Sequence, residues 1–412
     1  MVCEESWDAI IAGCGPTGAV AGREVAKKGF RVMILEEHRE VGRPVQCAGL
    51  VTRRALAEVP AEDCVLNSLS AAELVTPSGR RVRFGGGGER AVVVDRAGYD
   101  RRAAEMAIDS GCRISLGAKV VGLAAPRAAR GRRAGYVERS GFPVRVTVRV
   151  DGCRRELGAR VLIGADGVGS FVRRALGLAP PPEILPGFEA ELTGVDCPPD
   201  TVTVLVGREV APGFFAWLIP SGGRRAILGL CCEPGPAPAR AYFDRLMKNR
   251  SLAPLIGKAS VLGYMAGSVP LGPAPRTVSG RAALVGDAAG QVKPVTGGGL
   301  YTGTLCARLA GEAVAGALEG GDVELGLRVY ERLWRTRIGS ELRVGRLIRR
   351  AFVNVTDRQM EELAELLDRP ELIALVSAHG DLDAPSKLAK LLFRQAPGLL
   401  KFAGPLVKSL FK

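Results

Sequence analysis

The sequence predicts an α/β fold that contains an inserted antiparallel sheet and continues into a helical C-terminal region. Three observations support this prediction. Residues 7–36 have the pattern of a strand, a glycine-rich turn, a helix and a second strand. From Glu183 to about Val269 the pattern is one of strands and turns, with one helix near residues 239–249. Beyond residue 298 the spacing of apolar residues is mainly helical.

The first segment has the spacing of a dinucleotide-binding site. The turn Gly13–Gly18 (GCGPTG) follows an apolar strand and opens a helix, and the next strand ends at Glu36. Gly13 permits the tight turn, Gly15 lets a pyrophosphate approach the backbone, and Gly18 lets the helix pack closely on the strand. The helix N-terminus offers free N–H groups to phosphates, and Glu36 stands where an acid binds a ribose. The candidate cofactor contacts of this segment are Gly13, Gly15, Pro16, Thr17, Gly18, Glu36 and Glu37.

The composition indicates that a cofactor carries the chemistry. The chain has 412 residues, of which 47% are hydrophobic, enough for one large or two ordinary domains. Its ten cysteines include no CxxC pair, which argues against a disulfide framework or a thiolate metal cluster. Two histidines, His38 and His379, are too few for a histidine metal site or an evident Ser/His triad. Protein side chains alone therefore suggest no reaction, whereas a bound cofactor does.

The formal net charge of +14 calls for a partner or a solvated basic surface. Aromatic residues make up only 5%, and the sequence has no recognised nucleic-acid module, so no nucleic-acid partner is expected. An anionic membrane surface, an acidic protein and arginines that are simply solvated remain open. Residues 384–412 carry six Lys or Arg and no acid among many Leu and Phe. This basic tail is either a pair of docked surface helices or a contact with the lipid interface.

Two later turns repeat the pattern of a strand that ends in an acid. One strand, Val161–Gly164, leads into Asp166 and Gly167, and another leads into Gly286 and Asp287, followed by Gly297–Gly299. In this order, and together with the first turn, they resemble the FAD-dependent enzymes of the para-hydroxybenzoate hydroxylase type. The resemblance implies a Rossmann-like FAD-binding domain with FAD as the cofactor. It implies that Asp287 binds the ribitol, that the three glycines approach the flavin, and that Arg101 reaches the diphosphate.

Within that superfamily the chain is most similar to the geranylgeranyl reductases, including those that saturate archaeal membrane lipids. Residues 44–49 (PVQCAG) match a family segment whose cysteine lies beside the flavin, which makes Cys47 the candidate catalytic residue. Residues 212–220 (PGFFAWLIP) resemble the substrate motif PxxYxWxFP, with Phe215 and Ile219 in place of its tyrosine and its phenylalanine. Alternation places Phe215, Trp217 and Ile219 on one face, as in either a core or an apolar substrate channel. The cofactor contacts that the resemblance adds are Cys47, Ala48, Arg101, Val121, Asp166, Gly167, Gly286, Asp287, Gly298, Gly299 and Leu300.

The resemblance implies an FAD-dependent reductase that saturates isolated C=C bonds of geranylgeranyl or polyprenyl chains. A polyprenyl lipid is then the substrate, ferredoxin or NAD(P)H the electron donor, and no metal is needed. A flavin-dependent monooxygenase and a non-catalytic flavoprotein or prenyl-lipid carrier are the alternatives. The N-terminus lacks a long apolar run, so we expect no signal peptide and a cytoplasmic protein, with peripheral contact at the inner face of the membrane as a further expectation.

The chain divides into three predicted parts. We expect residues 1–65, 96–182 and 270–320 to form a discontinuous FAD-binding domain. Residues 66–95 and 183–269 should form the antiparallel-sheet substrate domain. Residues 321–412 should form the C-terminal helical region with its basic amphipathic tail.

Overall fold

The computed structural model describes residues 5–125, 142–396 and 398–399. Its first layer is a sheet built around five parallel strands. In spatial order these are Ala282–Leu284, Cys153–Gly164, Glu5–Ala12, Val32–Leu35 and Arg113–Ser115. Ala9–Ala12, Val32–Leu35, Val161–Gly164 and Ala282–Leu284, the segments where the inner strands pair side by side, are apolar and buried, as expected for strands that are covered on both faces.

Antiparallel strands extend this sheet. Val278–Ser279 pairs with Ala282–Leu284 at one edge. Val144–Val150 pairs with Cys153–Gly164 through a hairpin at Asp151 and Gly152, and Lys119–Ala124 pairs with Val144–Val150 in turn. Asp151 has a φ of 47° and Gly152 a φ of 81°, the left-handed backbone that a two-residue hairpin turn needs.

Three helices cover one face of this sheet: Pro16–Ala26, Arg96–Asp109 and Leu300–Gly320. The first and third approach each other closely because glycines stand at the contact. A Cβ atom on Gly311 would lie 2.6 Å from the Ala21 carbonyl oxygen, and one on Gly303 would lie 2.8 Å from Thr17 Cγ2. This close packing brings the third glycine-rich turn next to the first.

The second layer is a seven-stranded, mostly antiparallel sheet. Its strands in spatial order are Ser260–Leu271, Glu183–Thr193, Arg225–Cys231, Ala216–Gly222, Thr201–Leu205, Ala71–Val75 and Arg81–Gly85. One face packs on the helix Ala239–Leu246 through a core that includes Leu228 and Phe243. The opposite face turns toward the first layer. The inserted antiparallel sheet that the sequence predicted is therefore present.

Shorter elements connect the two layers. Leu50–Val51, Ala91–Val94 and Val65–Leu69 form a three-stranded sheet. The short helices are Arg53–Glu58, Phe171–Ala175 and Ala253–Ile256, and the 3₁₀ turns are Glu62–Cys64 and Gly286–Ala289. The predicted division of the chain into three parts stays a prediction.

The C-terminal region is helical, as predicted. Val323–Trp334 continues through a π-helical turn, Arg335–Gly339, into Ser340–Val353, and the remaining helices are Asp357–Leu367, Pro370–His379 and Pro385–Gln395. Of the predicted basic tail, residue 397 and residues 400–412 lie outside the described residues. Among the residues described, no helix has both the length and the apolar character needed to cross a membrane.

Candidate functional site: an FAD cradle and an adjoining apolar cavity

The first glycine turn has the geometry that the sequence predicted. A Cβ on Gly18 would overlap the carbonyl oxygen of Gly13, and one on Gly13, whose φ is 98°, would overlap the Ala165 carbonyl oxygen. Gly15 faces open space, with nothing within 4 Å of where its Cβ would stand. Pro16 and Thr17 begin the helix, and no side chain caps the N-terminal N–H groups at Gly15. The turn is therefore closed toward the protein and open toward a phosphate.

Glu36 lies at the end of the second parallel strand and is only 9% exposed. One carboxylate oxygen accepts the Cys14 N–H at 2.8 Å, and the other accepts the His38 N–H at 2.9 Å. These bonds hold the carboxylate beside the glycine turn, where a ribose of the dinucleotide would lie. Its neighbour Glu37 is half exposed and pairs with Lys119 at 2.6 Å, so it lies at the rim of this site.

Asp287 stands at the end of the edge strand of the parallel group, on the turn that packs against Thr17 through Gly286. It is half-buried, and its carboxylate makes no hydrogen bond within the part of the chain that the structure describes. Burial raises the pKa of its carboxyl to about 6, and Arg96 partly offsets the increase. Its Oδ1 lies 3.2 Å from where a Cβ on Gly299 would stand. The carboxylate and the glycine segment thus adjoin each other, as a ribitol and its flavin ring require.

Asp166 has a structural role in its turn. Its Oδ1 accepts the Ser170 hydroxyl at 2.5 Å and its Oδ2 accepts the Val172 N–H at 2.9 Å, which fixes the start of the helix Phe171–Ala175. Gly167, with a φ of 70°, faces open space. The side chain of Asp166 is therefore engaged, and the exposed backbone of this turn is the part that is free to face a cofactor.

Arg101 and Val121 lie farther out. Arg101 is exposed and forms an ion pair with Glu40, and Val121 is half-buried on the strand Lys119–Ala124. The arginine that enters the site is Arg96, which sequence reasoning missed. Its guanidinium pairs with Asp100 at 3.0 Å, and its side chain is 15% exposed.

These features match the requirements of FAD. The residues offer a glycine cradle that a Cβ would fill, an uncapped helix N-terminus and a buried acid at the ribose position. They also offer a carboxylate, Asp287, whose hydrogen-bonding capacity is unused among the described residues. The role of each predicted cofactor residue stays a prediction. The contacts do place Glu36 beside the first glycine turn, Gly286 beside Thr17, and Asp287 beside Gly299.

An apolar cavity of about 570 Å³ adjoins the cradle. Its wall includes Phe215, Trp217 and Ile219 from the second sheet, Cys47 and Ala48 from the loop after Glu36, and the segment Gly297–Leu300. A volume of this size is typical of small-molecule sites. The sequence left open whether the three residues of the 212–220 motif form core or a channel wall, and the structure places all three on the cavity wall.

The aromatic residues of the 212–220 motif pack on one another. The rings of Phe214 and Phe215 stack with centroids 4.2 Å apart, and the ring of Trp217 lies edge-on to Phe215 at 6.1 Å. Arg349, 2% exposed, lies over Phe214 with its guanidinium carbon 5.2 Å from the ring centroid. This stack makes a rigid apolar surface at the wall of the cavity.

Cys47 is a free thiol, half-buried at the junction of cradle and cavity. Arg96 is its charged neighbour. Burial by itself lowers the pKa of Arg96, but Asp100 and Cys47 beside it raise that pKa by a larger amount. The guanidinium therefore keeps its charge. Cys47 therefore stands where the cofactor space, a fixed cation and the apolar wall meet.

Glu189 is a second residue that sequence reasoning missed. It lies on the strand Glu183–Thr193, is 7% exposed, and lines the cavity. Burial raises the pKa of its carboxyl to about 7, while Arg96 and Trp217 lower it. The sequence does not set Glu189 apart, because Glu191 is a second acid at the next alternate position of the same strand.

The C-terminal region closes the cavity. Val376, Ser377, Gly380–Asp383, Pro385 and Leu388 belong to its lining, and we call residues 376–388 the roof segment. Lys293, four residues before Gly297, pairs with Asp383 of the roof segment at 2.6 Å. This contact joins the segment before Gly297–Gly299 to the roof segment, although the two are about 90 residues apart in the sequence.

Known proteins share the sequence and the fold. Residues 130–340 match a family described as an FAD binding domain. A digeranylgeranylglycerophospholipid reductase of Methanopyrus kandleri is 32% identical, covering 98% of this chain and 100% of that protein. A reductase of the same name from Methanosarcina acetivorans is 28% identical over 88% of this chain and 89% of that protein. A geranylgeranyl bacteriochlorophyll reductase-like structure from Thermoplasma acidophilum has a TM-score of 0.84 at 21% identity, covering 96% of this chain and 98% of that one.

These matches confirm the predicted fold and the predicted cofactor, FAD. The relatives align along nearly their whole length, so the likeness extends from the glycine cradle through the inserted sheet to the C-terminal helices. The chain belongs to the family of digeranylgeranylglycerophospholipid reductases, within the proteins that share this FAD binding domain.

Proposed function

We propose that the protein is an FAD-dependent reductase that saturates isolated C=C bonds in the geranylgeranyl chains of archaeal ether lipids. The observation that supports this most directly is the apolar cavity that opens onto the flavin-facing glycines and Cys47. Phe215, Trp217 and Ile219 on its wall match the apolar character of a prenyl chain. The membership of the chain in the digeranylgeranylglycerophospholipid reductase family supports the lipid class.

When bound, reduced FAD supplies the hydride for such a reaction. An isolated alkene has no carbonyl oxygen that hydrogen-bond donors could stabilise, so the protein has to act by placement and by supplying a proton. The aromatic wall at Phe215 and Trp217 holds the chain against the cofactor space and excludes water. Asp287 and Gly297–Gly299 hold the cofactor on the other side.

Cys47 lies beside the reacting carbons in this proposal and acts as a thiol, either orienting the alkene or passing a proton to it. Its position at the junction of cradle and cavity supports this role. Replacing Cys47 with alanine should slow single-turnover alkene reduction while FAD binding is retained, whereas Cys153→Ala, at an exposed thiol, should have no effect. An unchanged single-turnover rate in Cys47→Ala would remove the residue from the mechanism.

The proposed function is tested without knowing the physiological electron donor. The purified protein is reduced anaerobically with dithionite, unsaturated prenyl ether lipids are added, and the masses of the lipids are determined by mass spectrometry. Added hydrogens support the reductase. Oxygen-dependent NADPH consumption with product hydroxylation would favour a monooxygenase, and tight lipid binding without reoxidation of the flavin would favour a lipid carrier.

We also propose that the electron donor is a low-potential acidic carrier such as ferredoxin, with NAD(P)H as the alternative. A surface cleft of about 740 Å³ supports this, because it is lined by Glu331 and by five exposed arginines, namely Arg276, Arg328, Arg332, Arg335 and Arg343. Such a surface attracts an acidic partner and its effect weakens with salt. Arg328→Glu with Arg332→Glu should slow reduction by ferredoxin but leave dithionite-driven turnover unchanged. Equal rates with ferredoxin would argue against this docking surface.

Peripheral contact with an anionic membrane would bring the lipid to the cavity. The exposed side chains of Lys387, Lys390 and Arg394 on the helix Pro385–Gln395, which begins within the roof segment, support this proposal. Charge reversal of Lys387 and Lys390 should lower co-sedimentation with anionic lipid vesicles at low salt. The matched control reverses Lys248 and Lys258, two exposed lysines elsewhere on the chain. Equal loss in both variants would mean that only net charge matters.

A further inference from the structure

Glu189 lies on the cavity face of the second sheet. In the strand register it stands opposite Gly229 on one side and Met265 on the other, and Trp217 is the next residue beyond Gly229. A Cβ on Gly229 would lie 2.5 Å from Glu189 Cβ and 2.8 Å from Trp217 Cε2. The missing side chain at Gly229 therefore lets the carboxyl and the indole approach each other at the cavity wall.

The side-chain carboxyl of Glu189 makes no hydrogen bond in the part of the chain that the structure describes, although the residue is more than nine-tenths buried and lines the cavity. The other charged side chains of the cavity wall are all paired. Lys293 binds Asp383, Asp381 binds Arg54, and Arg90 donates to the Ser377 carbonyl oxygen. Burying a carboxyl group without a hydrogen-bond partner destabilises the folded protein. Glu189 therefore does not contribute to stability in the way that the paired residues do, which favours a functional role.

The surroundings of Glu189 bring the pKa of its carboxyl close to neutral pH, where both the neutral and the charged form are present. Burial raises the pKa of Glu189 to about 7, and Arg96 on the neighbouring helix opposes the increase. The indole N–H of Trp217 also lowers this pKa, although it lies outside hydrogen-bond geometry. Cys231 on the next strand and Cys47 on the loop are the nearby thiols, and burial raises the pKa of Cys231 so that it stays neutral. The residue opposite on the outer strand, Met265, does not titrate.

We propose that Glu189 is the acid that protonates the alkene carbon, a role that rests on the reductase function proposed above. The π bond of the alkene breaks, one carbon takes hydride supplied by reduced FAD, and the other takes the proton from the Glu189 carboxyl O–H. This leaves oxidised FAD, a saturated C–C bond and a Glu189 carboxylate, which regains a proton from water after the product leaves. Arg96 stabilises the carboxylate that forms.

A carboxylic acid suits this step better than a thiol. An isolated alkene is a very weak base, and proton transfer to it becomes faster as the acid becomes stronger. A cysteine thiol has an ordinary pKa of about 8.5, above the value of about 7 for Glu189. With Glu189 as the acid, Cys47 orients the alkene. The loss of Cys47 and the loss of Glu189 should then have different pH signatures.

The test compares Glu189→Gln with wild-type protein in anaerobic single turnover with a prenyl ether lipid, followed by flavin reoxidation. Loss of a positioned acid should slow the reaction by about 10²-fold or more. The wild-type rate should fall as the pH rises through about 7, because only the neutral carboxyl can donate. This dependence should persist in Cys47→Ala and be absent from Glu189→Gln, and Glu189→Asp should restore part of the rate. Glu191→Gln, two residues along the strand and paired with Arg225, is the matched control.

Two further measurements separate the possible outcomes. FAD content and lipid affinity should be the same in wild type and Glu189→Gln, since the substitution keeps the size of the side chain. Infrared difference spectra of the FAD-loaded protein should show a carboxyl that titrates near pH 7 in wild type and not in the variant. The assignment is overturned if wild type reduces the lipid and Glu189→Gln does so with the same rate and pH profile. It is also overturned if the wild-type infrared spectra show no carboxyl that titrates near pH 7. If wild type itself adds no hydrogen to the lipid, the proposed function fails first.

Discussion

The buried pair of Lys293 and Asp383 offers a quantitative test of how the C-terminal region is held to the FAD-binding layer. The two side chains are 8% and 2% exposed, and their charged atoms lie 2.6 Å apart. Lys293 also donates to the Leu382 carbonyl oxygen, and Asp383 also accepts from the Thr52 hydroxyl at 2.5 Å and from Arg54. Asp383 therefore has several partners, whereas Lys293 depends mainly on Asp383.

This asymmetry predicts unequal costs. Asp383→Asn leaves a buried ammonium without a counter-charge, which costs about 3–5 kcal/mol. Lys293→Met should cost less, because Thr52 and Arg54 still serve the carboxylate. Unfolding entropy of about 2.1 cal/mol/K per residue over 412 residues gives roughly 0.9 kcal/mol/K for a chain that unfolds as one unit. Asp383→Asn should then lower Tm by about 3–6 °C.

The assay is thermal unfolding of the FAD-loaded protein, followed by circular dichroism and by release of flavin fluorescence. Asp244→Asn is the control, because Asp244 pairs with Arg240 at 3.1 Å on the surface and such a pair contributes about 0.3–0.5 kcal/mol. The double variant Lys293→Met with Asp383→Asn should lose less than the two single losses added together. Equal midpoints for Asp383→Asn and Asp244→Asn, or strictly additive losses, would refute this account of the pair.

Three further predictions concern the cofactor cradle. Gly18→Ala places a methyl against the Gly13 carbonyl oxygen and should destabilise the apoprotein by about 1–3 kcal/mol, measured by urea unfolding. In Gly15→Ala the added methyl meets no described neighbour, so this variant should mainly weaken FAD binding in a fluorescence titration. Asp287→Asn should also weaken FAD binding. It should nevertheless stabilise the apoprotein, because the pKa of Asp287 is raised to about 6 and ionising it in the fold costs free energy. The free-energy cost of ionising Asp287 is absent below the unfolded pKa of about 3.9 and complete above about pH 6. The stability gained by Asp287→Asn should therefore grow across this interval to at most about 2–3 kcal/mol. Thermal midpoints of the two apoproteins, measured against pH, check this.

The cradle could be predicted from the sequence because its requirements are local. Gly13 needs a positive φ, and Gly18 needs the absence of a Cβ, and both needs arise within a single strand, turn and helix. The alternation that put Phe215 and Trp217 on one face is likewise a property of one strand. The family resemblance extended these local predictions to FAD and to a prenyl substrate.

Other residues could not be placed without the packing of distant segments. Arg96 and Arg101 are five residues apart on one helix, about 140° around its axis, so the two side chains leave it in different directions. The resemblance suggested Arg101 for the diphosphate, which stays a prediction, whereas only the structure shows that Arg96 is turned inward and pairs with Asp100. Which face of this helix is covered depends on the loop and sheet that pack on it.

The sequence by itself determined the order of the elements, the glycine cradle with its terminal acids and the apolar face of the 212–220 motif. Those features follow from backbone sterics and side-chain periodicity within short segments. The tertiary structure alone decided that Glu189 is buried beside Trp217, and that Lys293 meets Asp383. Burial and charge pairing are properties of which surfaces come together, so the candidate acid of the cavity became visible only when the second sheet was placed against the FAD cradle.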